Sequence, residues 1–218
     1  MRSVLIGDYC TGLHGWTLTS CQLAQPEWRS NLIEVPGLDG VIDASTALTG
    51  DVCFAPRALE ITLENSVGTR TERGLEIAAL INDLAGKTMK IVLPDDQEHY
   101  VVGRINIALQ YNDLAHAALS VSASCDPWRY RRTITKIARS DLGADYKQLR
   151  LPNERRPVIP AITVDRDTTL RWGNNDIAIN AGTHRLPAIY LTAGAHTLEA
   201  KVANGSGSIS VEYQEACL

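Results

Sequence analysis

The chain has 218 residues, 44% of them hydrophobic and 21% charged, and a formal net charge of -4. Such a chain can bury the core of one or two domains, and its composition excludes a disordered polymer. Its slight acidity argues against a protein that grips nucleic acid through the phosphates, leaving DNA at most tolerated. No run approaches the ~20 apolar residues of a spanning helix. The apolar stretch within residues 1–8 is too short for a signal peptide, so the product is expected to stay in the cytosol unless it leaves within an assembly. Cys10, Cys21, Cys53, Cys125 and Cys217 are odd in number and scattered, which fits reduced thiols rather than a disulfide framework.

Residues 1–30 carry Gly7, Gly12, Gly15, Trp16 and Trp28, a pattern of irregular turns with a short strand near 16–19. Next comes Val35-Pro36-Gly37-Leu38-Asp39-Gly40-Val41-Ile42-Asp43. Pro36 presets φ for a tight turn, Gly37 accepts the positive φ that follows, and Asp39-Gly40 is a second turn dipeptide. With Leu32, Ile33 and Val35 before and Val41 and Ile42 after, the prediction is a β-hairpin with a five-residue connection. Residues 51–54 and 59–64 alternate apolar and polar, as half-buried strands do. A polar loop leads to one helix from Glu72 to Ala85, with Thr71 as N-cap, Gly86 at the left-handed C′ position, and Ile77, Leu80, Ile81 and Leu84 on one face. Residues 87–93 and 100–107 read as strands around a Pro94-Asp95-Asp96 turn, and 117–123 as another leading into Cys125-Asp126-Pro127-Trp128-Arg129-Tyr130.

Strands around a single helix predict an α+β, mainly antiparallel arrangement. From residue 140 to 160 the periodicity weakens and Pro152, Pro157 and Pro160 punctuate the chain, so a boundary is expected there, with domains at 1–140 and 141–218. Beyond it, short strands at 161–164, 170–172, 177–179, 188–191, 197–202 and 208–213, separated by Gly173, Gly182 and Gly194, predict a small β-sandwich. The whole chain is mainly β.

The chemistry-bearing residues form no recognisable machinery. Cys10, His14 and Cys21 match no common zinc spacing, so neither metal nor cofactor is expected. Signatures such as GxSxG, HExxH or GK[ST] are missing, and His99, His116, His184 and His196 have no acidic or cysteine-rich setting. Asp95-Asp96 with Glu98 reads as a solvated hairpin tip. An enzyme is not expected. Trp172, Tyr190 and Tyr213 could stack on sugar rings, and the alternative reading is therefore a carbohydrate-binding adhesion module. Arg129, Arg131 and Arg132 beside Trp128 and Tyr130 fit either an arm docking a neighbouring subunit or a strand with a wet charged face.

In order and spacing, several words of the chain resemble the distal tail protein (Dit) of long-tailed bacteriophages. They are the 35–43 segment, Arg57-Ala58-Leu59-Glu60-Ile61, Gly103-Arg104, the 125–130 segment, Leu191, Gly194-Ala195-His196 and Gly205–Tyr213. The resemblance implies an N-terminal tail-tube-like β-sandwich with one helix and a C-terminal galectin-like β-sandwich. It also implies a homo-hexameric ring at the tail tip that joins the tail tube to the baseplate or tail-fibre hub. Tape-measure-associated proteins would lie nearby, and DNA would pass through without specific binding. The location is then the virion, after synthesis in the host cytoplasm, with no membrane and at most weak carbohydrate contact. Expected interface residues are Pro36, Gly37, Asp39 and Gly40 in the hairpin and Trp128, Arg129, Tyr130 and Arg131 in the basic–aromatic run.

Overall fold

The structure, a computed structural model, describes residues 3–47, 50–203 and 205–218, and every count below concerns those residues. By its contacts the chain forms two compact units, Met1–Arg129 with Leu218, and Tyr130–Cys217.

The first unit contains β1 (Leu5–Ile6), β2 (Tyr9–Cys10), β3 (Thr17–Leu23), β4 (Leu32–Ile33), β5 (Ile42–Asp43), β6 (Arg57–Asn65), α1 (Arg70–Leu84), β7 (Thr88–Leu93), β8 (Asp96–Asn112) and β9 (Ala117–Cys125). Seven of these strands pair antiparallel in the order β2-β1-β7-β8-β9-β6-β3. A flat sheet of that order would hold its edges roughly 29 Å apart, at ~4.8 Å per strand. Yet β2 and β3 are joined only by a tight helical turn at Thr11–His14, closed where Trp16 N donates to Thr11 O over 3.1 Å. The sheet therefore rolls until its edges meet at Trp16, which is fully buried, and the roll gives two facing layers.

Side chains alternate across each strand, so one set fills the roll and the other faces out. Leu59, Ile61 and Leu63 of β6 point inward with Leu119, Val121 and Ala123 of β9, while Glu60, Ser122 and Ser124 lie on the outer face. The helix adds Ile77, Leu80 and Leu84 to that core. It starts two residues earlier than Thr71 would allow. Thr69 is the N-cap, because its hydroxyl accepts from Glu72 N (3.3 Å) while the Glu72 carboxylate accepts from Thr69 N (2.7 Å), and this reciprocal pair satisfies two orphan donors. Gly86 takes the left-handed conformation after the helix, at φ +80°. The expected strand at 51–54 reduces to a single bridge between Trp28 and Phe54.

A short strand β10 (Arg129–Arg131) spans the change from first unit to second, and the second unit contains β11 (Thr135–Leu142), β12 (Lys147–Asn153), β13 (Ala161–Val164), β14 (Thr168–Trp172), β15 (Asn175–Ile179), β16 (Gly182–Arg185), β17 (Gly194–Val202), β18 (Gly207–Tyr213) and β19 (Ala216–Cys217). Two antiparallel four-stranded sheets, β11-β18-β13-β16 and β12-β17-β14-β15, enclose one core that includes Leu149, Leu151, Ile162, Leu170, Leu198 and Val211. This is the expected β-sandwich, with two departures. The weakly periodic stretch after residue 140 holds a complete strand, β12, and Pro152 is tolerated because β12 is an edge. Residues 188–191 form no strand: Ile189 and Leu191 are fully buried, but only Leu191 touches a ladder, in a bridge to Val158. Their apolar pattern reported burial, not pairing. Another strand that the pattern did not show is β16, whose Gly-Thr-His-Arg sequence is polar because it is an edge. No described helix is long and apolar enough to cross a membrane.

Candidate assembly surfaces

Between β3 and β6 the chain leaves the rolled sheet as a ribbon. Ala24 N donates to Ala58 O, Ala55 N to Glu27 O, Arg29 N to Cys53 O and Ala44 N to Asn31 O, at 2.7–2.9 Å. The ribbon ends in the β4–β5 pair, with Ile33 opposite Ile42, which forms a sheet of its own. The connection spans residues 34–41, longer than the expected five. Inside it the first predicted turn is present: Leu38 N donates to Val35 O over 3.0 Å, and Gly37 sits at φ +86°. Gly40 is likewise at φ +89°. Among the described residues no atom lies within 4 Å of where a Cβ would stand on either glycine, so both positions open onto free space.

This arm is apolar on the outside. Leu32, Ile33, Val35, Leu38, Val41 and Ile42 are each 40–52% exposed, and none belongs to the core of the first unit. Together they show on the order of 500 Å² of apolar surface, as much as the largest patch on a typical monomer. An isolated two-stranded hairpin is marginal in water. An arm of this kind is built to be covered.

Trp128 of the basic–aromatic run lies at the foot of the arm, and the run is engaged within the chain. Trp128 meets Phe54 edge to face, with ring centroids 5.8 Å apart, and so braces the bridge from which the ribbon springs. Arg129 donates through Nε to Leu218 O (3.0 Å) and through its guanidinium to Asp96 Oδ2 (3.1 Å). Burial pushes the Asp96 carboxyl up, but the His99 hydrogen bond and the His99 and Arg129 charges outweigh it and hold it below its ordinary value. In the second unit Tyr130 lies under the Arg156 guanidinium at 5.2 Å, and Arg131 pairs with Glu154 (3.0 Å) and Glu215 (3.6 Å). The Arg131 carbonyl also accepts from Gln214.

Cys10, His14 and Cys21 are not brought together among the described residues. His14 stacks on Tyr9 at 4.2 Å and lies 3.9 Å from Glu76. Cys21 lines a cleft of about 280 Å³ with Asp95, Asp96, Arg57 and Arg129. Burial, then the Asp95 charge, pushes its thiol up, which keeps it a poor nucleophile. A larger open trough of about 680 Å³ lies on the sheet of the first unit, with Glu60, Arg104, Asn106, Ser122 and Ser124 around it. Of the aromatics weighed for sugars, Tyr213 is core, with its hydroxyl on Pro152 O, whereas Tyr190 is exposed and Trp172 is half-buried against His196.

A charged cluster that no sequence motif marks joins β14, β15 and β17 to Tyr146, which precedes β12. Arg171 and Lys201 lie over the Tyr146 ring at 3.9 and 4.4 Å, and Asp176 accepts from Arg171 Nε and from Tyr146 Oη, each over 2.7 Å. The Arg171 and Tyr146 hydrogen bonds lower the Asp176 carboxyl to about 2. A depressed carboxylate stabilises the fold above its unfolded value and loses that contribution as pH falls through the folded one. The second unit is therefore expected to lose stability between about pH 4 and 2, a loss blunted in Asp176→Asn. Side-chain carboxyl NMR titration checks it, and an Asp176 midpoint near 4 would refute it.

No family model matches the chain, and no curated protein matches it. Among solved structures it is similar to the crystal structure of SPP1 Dit (gp 19.1), described as a paradigm of the hub adsorption apparatus in phages infecting Gram-positive bacteria. The match covers 99% of this chain and 99% of that chain, with 13% identity and a TM-score of 0.70. The fold is that of SPP1 Dit. The resemblance read from scattered words of the sequence holds at the level of the fold, across both units.

Proposed function

We propose that this protein is a structural component of a phage tail tip, a ring-former that joins the tail tube to the baseplate or tail-fibre hub. The observation that carries the reading is the apolar arm, in a chain that shares the Dit fold over its whole length. A contact between different surfaces of identical subunits closes into a ring when its rotation allows, and here the expected ring is a homo-hexamer. The first unit forms the ring, with Pro36, Gly37, Asp39 and Gly40 at the reaching tip. Trp128 braces the foot of the arm through Phe54, Arg129 is held on Asp96 and Leu218, and Tyr130 and Arg131 open the second unit. DNA passes through a wall of mildly acidic protein to which its phosphates do not adhere. The protein acts in the virion and needs no cofactor, its partners being the tube above and the hub below.

The mass of the purified protein in solution tests this. A discrete species of six chains, ring-shaped by electron microscopy, is expected; a strictly monomeric protein at high concentration would overturn the reading. Gly37→Val sharpens it. Valine at φ +86° costs about 1–2 kcal/mol in the turn. Because the arm stands outside the core, the variant should keep the thermal midpoint of wild type and lose the ring. A ring that forms normally would remove the arm from the interface.

A further inference from the structure

Resting on that reading, we propose where the arm goes: into an apolar seat at the opposite end of the first unit of a second copy, in a head-to-tail contact. The seat is formed by Leu13, Val67, Leu75, Leu109, Tyr111 and Leu114, which are 38–88% exposed. Strand register puts them at one end. Asn65, Ala117 and Asn112 occupy one row across β6, β9 and β8, just before Val67 and beside the turn that carries Leu114. Asn112 Nδ2 donates to Arg70 O over 3.1 Å, and the buried Arg73 guanidinium to Asp113 O over 2.7 Å, which bind the first turns of α1 and Leu75 to the same turn. A Cβ on Gly15 would lie 3.4 Å from Val67 Cγ2, which brings the Thr11–His14 turn and Leu13 alongside.

The arm leaves from the other end, where Leu23 faces Leu59 and Arg57 faces Cys125. Nine residues of β6 separate the two ends, about 30 Å of strand. One unit thus shows an apolar projection at one end and an apolar seat at the other, the two halves of a heterologous contact that repeats from copy to copy.

Charge agrees with this occupant. Residues 30–56 hold Glu34, Asp39, Asp43 and Asp51 and no lysine or arginine. The acids at the seat are held by bonds of their own: Asp113 Oδ1 accepts from Ala115 N and His116 N, Glu72 closes the helix cap, and Glu64 is hydrogen-bonded to Tyr111, which leaves Arg70 as the cation that an acidic arm can meet. Arg70, the first residue of α1, is exposed. The seat therefore offers a cation beside apolar side chains to an arm that offers aliphatic side chains beside carboxylates, and Glu34 and Asp39 are its partners.

Two full-length variants test the contact. Leu38→Asp/Val41→Asp spoils the arm, and Leu75→Asp/Leu114→Asp spoils the seat; both change exposed positions, so each should keep the circular dichroism and melting of wild type. Each alone should associate about a hundred-fold more weakly than wild type. Mixed in equal amounts they should form a 1:1 dimer that grows no further, because only the intact arm of one can enter the intact seat of the other. Arg70→Glu should weaken association about ten-fold, and Asp39→Arg in the same chain should recover it. Wild-type assembly by either spoiled variant, or a mixture that stays monomeric, would overturn the seat while leaving the ring reading intact. A wild-type protein that never associates would remove both.

Discussion

Trp16→Ala is expected to lower the unfolding free energy of the first unit by about 3–5 kcal/mol, against a total that for such domains is ~5–15 kcal/mol. Trp16 is fully buried at the place where the rolled sheet closes, and its indole Nε1 donates to Glu76 Oε1 over 3.2 Å. The same carboxylate accepts from Asn65 Nδ2 at 3.4 Å. Truncation therefore opens a cavity on the seam and strips a half-buried carboxylate of a donor, two costs that add. Trp16→Phe keeps most of the volume and loses only the donor, so about 1–2 kcal/mol is expected. Urea unfolding followed by far-ultraviolet circular dichroism separates the variants. A loss below about 1 kcal/mol for Trp16→Ala would mean that the seam is held elsewhere.

Gly103→Ala should cost about 2–3 kcal/mol, a large effect for one methyl group. Gly103 pairs with Cys125 across β8 and β9, and an added Cβ would stand 2.6 Å from Cys125 Sγ, 3.1 Å from Ser124 O and 3.2 Å from Cys125 Cα. Two of those neighbours are backbone of a central strand and cannot step aside. Cys125 is 1% exposed, and burial pushes its thiol up to about 11, so it is an inert filler of this space. Combining Gly103→Ala with Cys125→Ala removes the worst clash and leaves the backbone ones. The pair should recover about 1 kcal/mol relative to the sum of the single changes, as a double-mutant cycle would show. Strict additivity would place the strain elsewhere.

These two residues also show how far the sequence could be read. Gly103 and Cys125 stood out in the sequence only as landmarks of a resemblance; their register explains them, since the small residue makes room for the thiol opposite. Leu59, Ile61 and Leu63, or Ile77, Leu80 and Leu84, declare their inward faces through spacing alone, because burial on one face imposes a period of 2 or 3.6. Pro36-Gly37 likewise declares its turn. Apolar spacing was a poorer guide where burial and hydrogen bonding part company. Ile189 and Leu191 are buried without a strand, and β16 is a strand with little to bury. The Thr69–Glu72 box was legible in principle, and the Thr71 next to it misled because N-cap preference alone ranks the two equally.

The arm marks the same division. Its turns, aliphatic flanks and acidity follow from short-range rules that Val35–Asp43 obeys by itself. The sequence by itself also determined a mainly β chain, with one helix early and a small sandwich late. Whether those aliphatic residues face a core or water depends on what the rest of the chain brings beside them. Only the tertiary structure decided that β2 and β3 close the sheet at Trp16 and that the ribbon between β3 and β6 stands clear of it. It alone also decided that Trp128 braces the ribbon's foot and that Leu13, Val67, Leu75 and Leu114, far apart in the chain, share the opposite end. The physical reason is that local pattern sets which face of an element is apolar, whereas sheet closure and strand register set what that face meets.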